Sequence, residues 1–231
     1  MKIENSVVLV TGANRGIGLT FARELLARGA RKVYAAARNP STVTLSGVEA
    51  VKLDVTNLAE VNAVAQHASD VTLVINNAGI AQAGGFLAQD SEAVTRRIFE
   101  TNFFGMLNMS KAFAPVLKAN GGGGMINVLS IASWLNGGEL AAYAASKSAA
   151  WSLTNALRHE LATQKTQVLG LHMAYVDTDL TRGFDVPKSS AEDIVRSALD
   201  GLEAGELEVL ADVLTQQVKK GLAGSIYLPQ E

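Results

Sequence analysis

Apolar and polar positions along the chain fall into two alternating rhythms. Short apolar runs recur at residues 7–10 (VVLV), 32–37 (KVYAAA), 48–53 (VEAVKL), 71–77 (VTLVINN), 125–130 (MINVLS), 168–173 (VLGLHM) and, more weakly, 207–210 (LEVL). Runs of this length without strict polar alternation predict strands buried on both faces. Between them, apolar residues return at the spacing of an amphipathic helix over 19–28, 59–66, 92–117, 140–161 and 191–202,. Strand alternating with helix predicts an α/β fold: a doubly wound parallel sheet of about seven strands with helices on both faces. The run GGGG at 121–124 reads as the end of the long helix turning into the fifth strand rather than as a linker,. With no repeat and no composition break, one domain over 1–231 is expected.

Composition narrows the classes. Hydrophobic residues make up 48% of the 231 and charged residues 18%, enough apolar material for a sizeable core,. The formal net charge is −2, and no basic stripe invites nucleic acid,. The absence of cysteine excludes a disulfide framework and thiol catalysis,. The apolar run near the N-terminus is too short for a signal peptide, and no apolar stretch reaches the roughly 18 residues of a membrane span. A cytoplasmic protein without a membrane partner is the expectation. His67, His159 and His172 are scattered without metal-ligand spacing, so no metal is expected,.

The first strand runs into TGANRGIG (11–18), which opens the first helix. A strand, a glycine-rich turn and a helix N-terminus in that order let the backbone approach a pyrophosphate and aim N–H groups at it. The glycines are Gly12, Gly16 and Gly18, a spacing of G-x-x-x-G-x-G rather than G-x-G-x-x-G. An acid that would hold an NAD ribose is missing at the end of the second strand, where Arg38 stands, and Arg15 lies inside the turn. Two guanidinium groups suit a 2′-phosphate, which favours NADP(H) as cofactor.

TGANRGIG, NNAG (76–79), Ser130 and YAASK (143–147) occur in that order, with Ser130 thirteen residues before Tyr143 and Asn102 in TNFFG between. Over about residues 6–178 the chain resembles the short-chain dehydrogenases/reductases, of the NADP-preferring carbonyl reductase type. The resemblance implies a Rossmann-like domain and a catalytic tetrad of Asn102, Ser130, Tyr143 and Lys147. It implies a cofactor turn shaped by Thr11, Gly12, Asn14, Arg15, Gly16, Ile17 and Gly18, with Asp54 and Val55 at the adenine. Asn77, Ala78 and Gly79 would lie by the nicotinamide ribose, with Tyr143 and Lys147 also facing the cofactor, and Val176 and Thr178 by the carboxamide. In the family, the helices expected at 92–117 and 140–161 form dimer faces, so a homodimer or homotetramer is implied. One departure stands out: the family writes Pro-Gly after the sixth strand, where this chain has Met173-Ala174 in the segment 173–178.

Residues at i and i+4 share a helix face, so Tyr143 and Lys147 point together. A phenol titrates near 10, and a nearby ammonium with an oxidised nicotinamide is expected to lower that value. Ser130 would hydrogen-bond a carbonyl oxygen, Tyr143 would protonate it, and Asn102 would hold a water linking Lys147 to solvent. The expected substrate side is mostly apolar: Ile80, Ala81, Ala83, Ile131, Ala132, Trp134, Leu135, Tyr175 and Leu180, beside Ser130 and Tyr143. No arginine or lysine stands among these, so a neutral, largely hydrophobic ketone or aldehyde is expected, under a modest lid at about 179–189. Met106, Met109, Trp151, Phe99, Phe103 and Phe104 read as packing. Two other readings stay open: an NADP-binding regulatory or redox-sensing protein without turnover, and an NAD-linked alcohol dehydrogenase.

Overall fold

The computed structural model describes residues 1–228. Seven strands form one parallel sheet: β1 (Val7–Thr11), β2 (Lys32–Ala37), β3 (Glu49–Lys52), β4 (Leu73–Asn76), β5 (Gly124–Val128), β6 (Gln167–His172) and β7 (Glu208–Leu210), in the spatial order β3-β2-β1-β4-β5-β6-β7. Every residue of β1, β4 and β5 is buried, as continuous apolar runs require of strands covered on both faces,. The order reverses between β1 and β4, and the crevice beyond the carboxyl ends of those strands is where such sheets take ligands,.

Helices α1 (Gly16–Ala27) and α6 (Ala191–Ala204) belong to one core, with Phe21, Leu25, Ile194 and Leu199 packed on Val8, Val10 and Ile126. Helices α2 (Leu58–His67), α4 (Gly105–Ala119) and α5 (Ala141–Glu160) form the other, where Val61, Met109, Phe113 and Leu157 meet Val7, Leu9 and Val74. Local chemistry sets the ends of these elements. Asn57 accepts from the N–H groups of Ala59 and Glu60 to start α2, Ser190 accepts from Asp193 N to start α6, and Gly205 ends α6 in the left-handed region,. The GGGG run behaves as expected: Gly121, Gly122 and Gly123 take positive φ, and Gly124 begins β5.

Two features depart from the sequence reading. The helix expected over 92–117 is α3 (Ser91–Phe99) and α4, joined by a five-residue π turn at Glu100–Phe104. Apolar periodicity runs through the junction, so the extra residue it absorbs leaves no mark in the pattern. A further helix, α7 (Val213–Gly221), follows β7; it is short and largely polar. Among the described residues, no helix is long and apolar enough to cross a membrane.

Candidate active site

The glycine-rich turn owes its shape to close approaches that leave no room for side chains. Gly12 and Gly16 both have positive φ, and a Cβ on Gly12 would lie 3.1 Å from Asn77 Nδ2,. A Cβ on Gly18 would sit 2.2 Å from the Gly12 carbonyl oxygen and 2.6 Å from Asn77 Nδ2. Gly18 thus seats α1 against the turn from beneath. Thr11 supports it from behind: its hydroxyl accepts from the N–H groups of Asn77 and Ala78, both at 2.9 Å, and donates to Ile75 O. Asn77 Nδ2 returns a bond to Thr11 O at 2.8 Å, locking β1 to the NNAG turn. Helix α1 begins with no side-chain cap and no acid in its first turn, so its leading N–H groups stay open to an anion,.

A cleft of about 1350 Å³ runs from this turn across the sheet ends. Gly12, Asn14, Arg15, Gly16, Ile17, Arg38, Asp54, Val55, Asn77, Ala78 and Gly79 line it, as do Ser130, Tyr143, Lys147, Val176 and Thr178. Three residues expected at the site stand behind its wall instead: Thr11 and Gly18, in the supporting roles just given, and Asn102. Asn39 and Thr42 join the cleft beside Arg38, in a turn where Asn39 Oδ1 accepts from Ser41 N; nothing in the glycine pattern marks them. Asp54 is pushed up by burial, but hydrogen bonds from Thr56 N and Oγ1 and the charge of Arg38 outweigh this and hold its carboxyl below the usual range. Arg38 is therefore close to the adenine end of the cleft. Arg15 pairs with Asp179 at 3.1 Å, which ties the glycine-rich turn to the start of the lid.

The four tetrad positions are held by different elements. Ser130 follows β5 in extended backbone, and its Oγ accepts from Ala132 N at 3.1 Å, capping a short turn at Ile131–Ser133. Tyr143 and Lys147 lie one turn apart on α5, close-packed through Ala141, Ala142 and Ala144. Helix α5 is tied to the sheet by a buried chain in which Asn76 Nδ2 donates to Asn127 Oδ1 and Asn127 Nδ2 donates to Thr154 Oγ1. Lys147 is 5% exposed, and its Nζ donates to Val128 O at 2.7 Å and lies 5.7 Å from the Tyr143 ring centre. Burial pushes Lys147 down to about 8. Burial also raises Tyr143, and the hydrogen bond from Ser130 only partly opposes it. The expectation of a phenol lowered by its lysine is thus reversed in the protein alone, because desolvation outweighs an amine at that distance.

Asn102 is buried in the π turn. Its Oδ1 accepts from Ile80 N at 2.8 Å, while Nδ2 donates to Ile80 O at 2.9 Å and to Ser146 Oγ at 3.0 Å. Its side chain is a clamp between the segment following NNAG and α5, and it is not part of the cleft lining.

Ile80, Ala81, Ala83, Ile131, Ala132, Leu135, Tyr175 and Leu180 line the cleft, joined by Phe184, Ile226 and Tyr227. Trp134 does not. It stacks on His172 at 4.1 Å, away from the cleft, because the turn after Ser130 rotates it toward β6. The expectation of no cationic group also fails: Arg97, from α3, lines the cleft and donates to Gln82. The lid is pinned at both ends, by Asp177 N to Ser189 O at 3.0 Å and Ser189 N to Tyr175 O at 2.9 Å. Where the family's Pro-Gly is replaced by Met173-Ala174, the Ala174 N–H donates to Asp212 Oδ2 at 2.8 Å, the same side chain that caps α7 through Thr215 N.

A glycine cradle that a Cβ would fill, an open helix N-terminus and a long cleft ending at Arg38 fit a dinucleotide, and the Ser130–Tyr143–Lys147 wall fits carbonyl chemistry at its far end. These features define a dinucleotide-dependent oxidoreductase. Residues 6–187 match the family model described as short chain dehydrogenase, and the chain belongs to the short-chain dehydrogenase/reductase family, whose members act on CH–OH and carbonyl groups. Its fold is similar to that of a short chain dehydrogenase from Burkholderia cenocepacia solved in complex with NADP, at 41% identity and a TM-score of 0.93, over 97% of this chain and 95% of the other. It is 31% identical to the 3-oxoacyl-(acyl-carrier-protein) reductase MabA of Mycobacterium tuberculosis, over 89% of this chain and 81% of that protein. It is 34% identical to galactitol 2-dehydrogenase (L-tagatose-forming) of Cereibacter sphaeroides, over 78% of this chain and 75% of that protein.

Proposed function

We propose that the chain is an NADPH-dependent carbonyl reductase, reversible as an alcohol dehydrogenase, acting on a neutral and largely hydrophobic ketone or aldehyde. The observation that carries this reading is one continuous cleft with Arg15 and Arg38 at one end, Ser130, Tyr143 and Lys147 on the wall of the other, and beyond them apolar lining at Ile80, Ile131, Leu135, Tyr175, Leu180 and Phe184, with Arg97 engaged by Gln82. Two arginines without a ribose-binding acid support the 2′-phosphate. When bound, the reduced nicotinamide supplies the hydride.

The chain's own residues do the rest. Ala132 N–H occupies a lone pair of Ser130 Oγ, so the serine's own proton is directed elsewhere, toward a carbonyl oxygen in the cleft,. Tyr143 delivers a proton to that oxygen as charge develops on it. Lys147, anchored on Val128 O and titrating near neutrality, is placed to supply a proton beside the phenol. Asn102 positions both by holding Ile80 and Ser146, whose hydroxyl in turn donates to Tyr143 O at 2.7 Å. The relatives' substrates, an acyl-carrier thioester and a polyol, differ too much to set this one, so the apolar lining is the better guide.

The test is loss of NADPH absorbance with neutral aryl and alkyl ketones and aldehydes, beside NADH and a Tyr143→Phe variant. Turnover is expected with NADPH, falling by about a hundredfold or more in the variant, as loss of a general acid does, while NADPH binding persists. Binding of NADPH with no carbonyl reduced would overturn the reading in favour of a regulatory NADP-binding protein.

A further inference from the structure

Behind Ser130, on the side away from the cleft, lies a buried aromatic and charged cluster that the reaction as described does not use. His172, the last residue of β6, is fully buried, and its Nδ1 lies 3.2 Å from the main-chain oxygen of Ser130. Trp134 stacks on the imidazole, with planes 18° apart, and Trp151 meets Trp134 edge-on at 6.2 Å. Lys219 of α7 sits 4.5 Å above the Trp134 ring and pairs with Glu208 at 3.0 Å.

We propose that His172 is a positioning residue for the carbonyl-reducing site: its Nδ1–H holds the Ser130 main chain, and through it the direction of the Ser130 hydroxyl. The inference rests on the proposed reductase function. A carbonyl oxygen only accepts, so the hydrogen bond assigns the proton to Nδ1 and leaves Nε2 with a lone pair. The Ser130 carbonyl also accepts from Ser133 N at 3.0 Å, so the histidine and the turn grip one oxygen from two directions. That grip fixes the peptide plane after Ser130, and the Ala132 N–H that holds Oγ lies just beyond that plane. The stacked indole keeps the imidazole plane aligned with its acceptor.

The charged groups facing the ring are Glu208, 3.5 Å from Nε2, with Lys219 and Arg158 nearby. Burial pushes His172 down to about 4; the bond to Ser130 O and Glu208 raise it, while Lys219 and Arg158 lower it. Burial thus favours the neutral ring, in which one nitrogen alone donates. The cluster joins α7, β7 and β6 to the serine.

Two measurements test the inference. Two-bond proton–nitrogen spectra of the 15N-histidine protein, with His172 assigned from its absence in His172→Asn, should show the Nδ1–H tautomer for this ring. An Nε2–H tautomer would overturn the proposal whether or not any variant folds or any carbonyl is reduced. Kinetics then test the consequence. His172→Leu keeps bulk without a donor and should lower kcat about tenfold, the scale of one neutral hydrogen bond, with KM for NADPH within about twofold. His172→Asn places an amide N–H near the Nδ1 position and should recover kcat to within about threefold of the parent, on the same scale. Equal kcat in His172→Leu and the parent, or no recovery in His172→Asn, would also overturn it. If the parent binds NADPH but reduces no carbonyl, the reductase reading fails, and the positioning role falls with it even if the tautomer is as expected. Turnover in the parent with the wrong tautomer would instead sink the His172 inference alone.

Discussion

Replacing Asp212 by alanine should loosen the loop beside the cofactor cleft from a distance. Its carboxylate accepts from Ala174 N at 2.8 Å, from Thr215 N at 2.8 Å and from Thr215 Oγ1 at 2.9 Å. Loss of the cap on α7 costs about 1 kcal/mol. Loss of the charged acceptor leaves the half-buried Ala174 N–H without a partner, worth about 2 kcal/mol. Together these amount to roughly 3 kcal/mol, or on the order of 10 °C in Tm for a chain of this size. The Ala174→Pro background separates the two parts, because proline has no N–H to strand. There Asp212→Ala should cost only the cap, about 1 kcal/mol, so the double-mutant cycle should show a coupling of about 2 kcal/mol. Urea unfolding of the four proteins reads the cycle directly, and KM for NADPH should rise with the loss of the loop anchor. Additive costs within about 0.5 kcal/mol would refute the idea that Asp212 anchors the loop through the Ala174 N–H.

Other perturbations should act as locally. Gly18→Ala forces a Cβ to within 2.2 Å of a main-chain oxygen, so NADPH binding should be lost or the protein should fail to fold; calorimetric titration with unchanged affinity would refute the tight seat. Arg38→Ala and Arg15→Ala together should raise KM for NADPH by tenfold or more, roughly the loss of a charge-assisted contact, with little change for NADH; parallel changes in both would refute 2′-phosphate recognition. Lys147 titrates near 8 when folded and at its ordinary 10.5 when unfolded. Between those values the folded chain binds fewer protons, so this group's contribution to stability rises with pH across that window, by on the order of 3 kcal/mol in all. Urea midpoints of Lys147→Met should lack that rise relative to the parent between about pH 8 and 10; identical pH profiles would count against a buried, perturbed amine.

Much of the site is written in local pattern. The central strands are contiguous apolar runs, while β3 at the edge, expected to be buried on both faces, is half-exposed; the glycine turn sits between a strand and a helix, and Tyr143 and Lys147 declare their shared face by spacing alone. What escaped was set by rotation or by distance along the chain. Trp134 follows Ser130 closely, but only the path of the turn decides that it faces His172 rather than the cleft. Asn102 keeps its place while its side chain is spent on Ile80 and Ser146, contacts that a π turn creates and apolar periodicity conceals. The bond between Ala174 and Asp212 spans 38 positions, and the helix that Asp212 caps is short and largely polar. Arg97 entered the cleft from a helix expected to carry Asn102 and a dimer face.

The two main-chain bonds between Tyr175–Asp177 and Ser189 make the lid a closed loop with fixed ends. Its closure entropy is met at those ends, and doubling its length would cost only about 0.6 kcal/mol. Thr178 on the cleft wall and Asp179, paired with Arg15, tie the start of the loop to the glycine-rich turn, so segments of different length and polarity can be exchanged beyond Asp179 while Val176 and the cofactor wall keep their places. For this chain, changing what is reduced and changing how it is reduced are separable engineering problems.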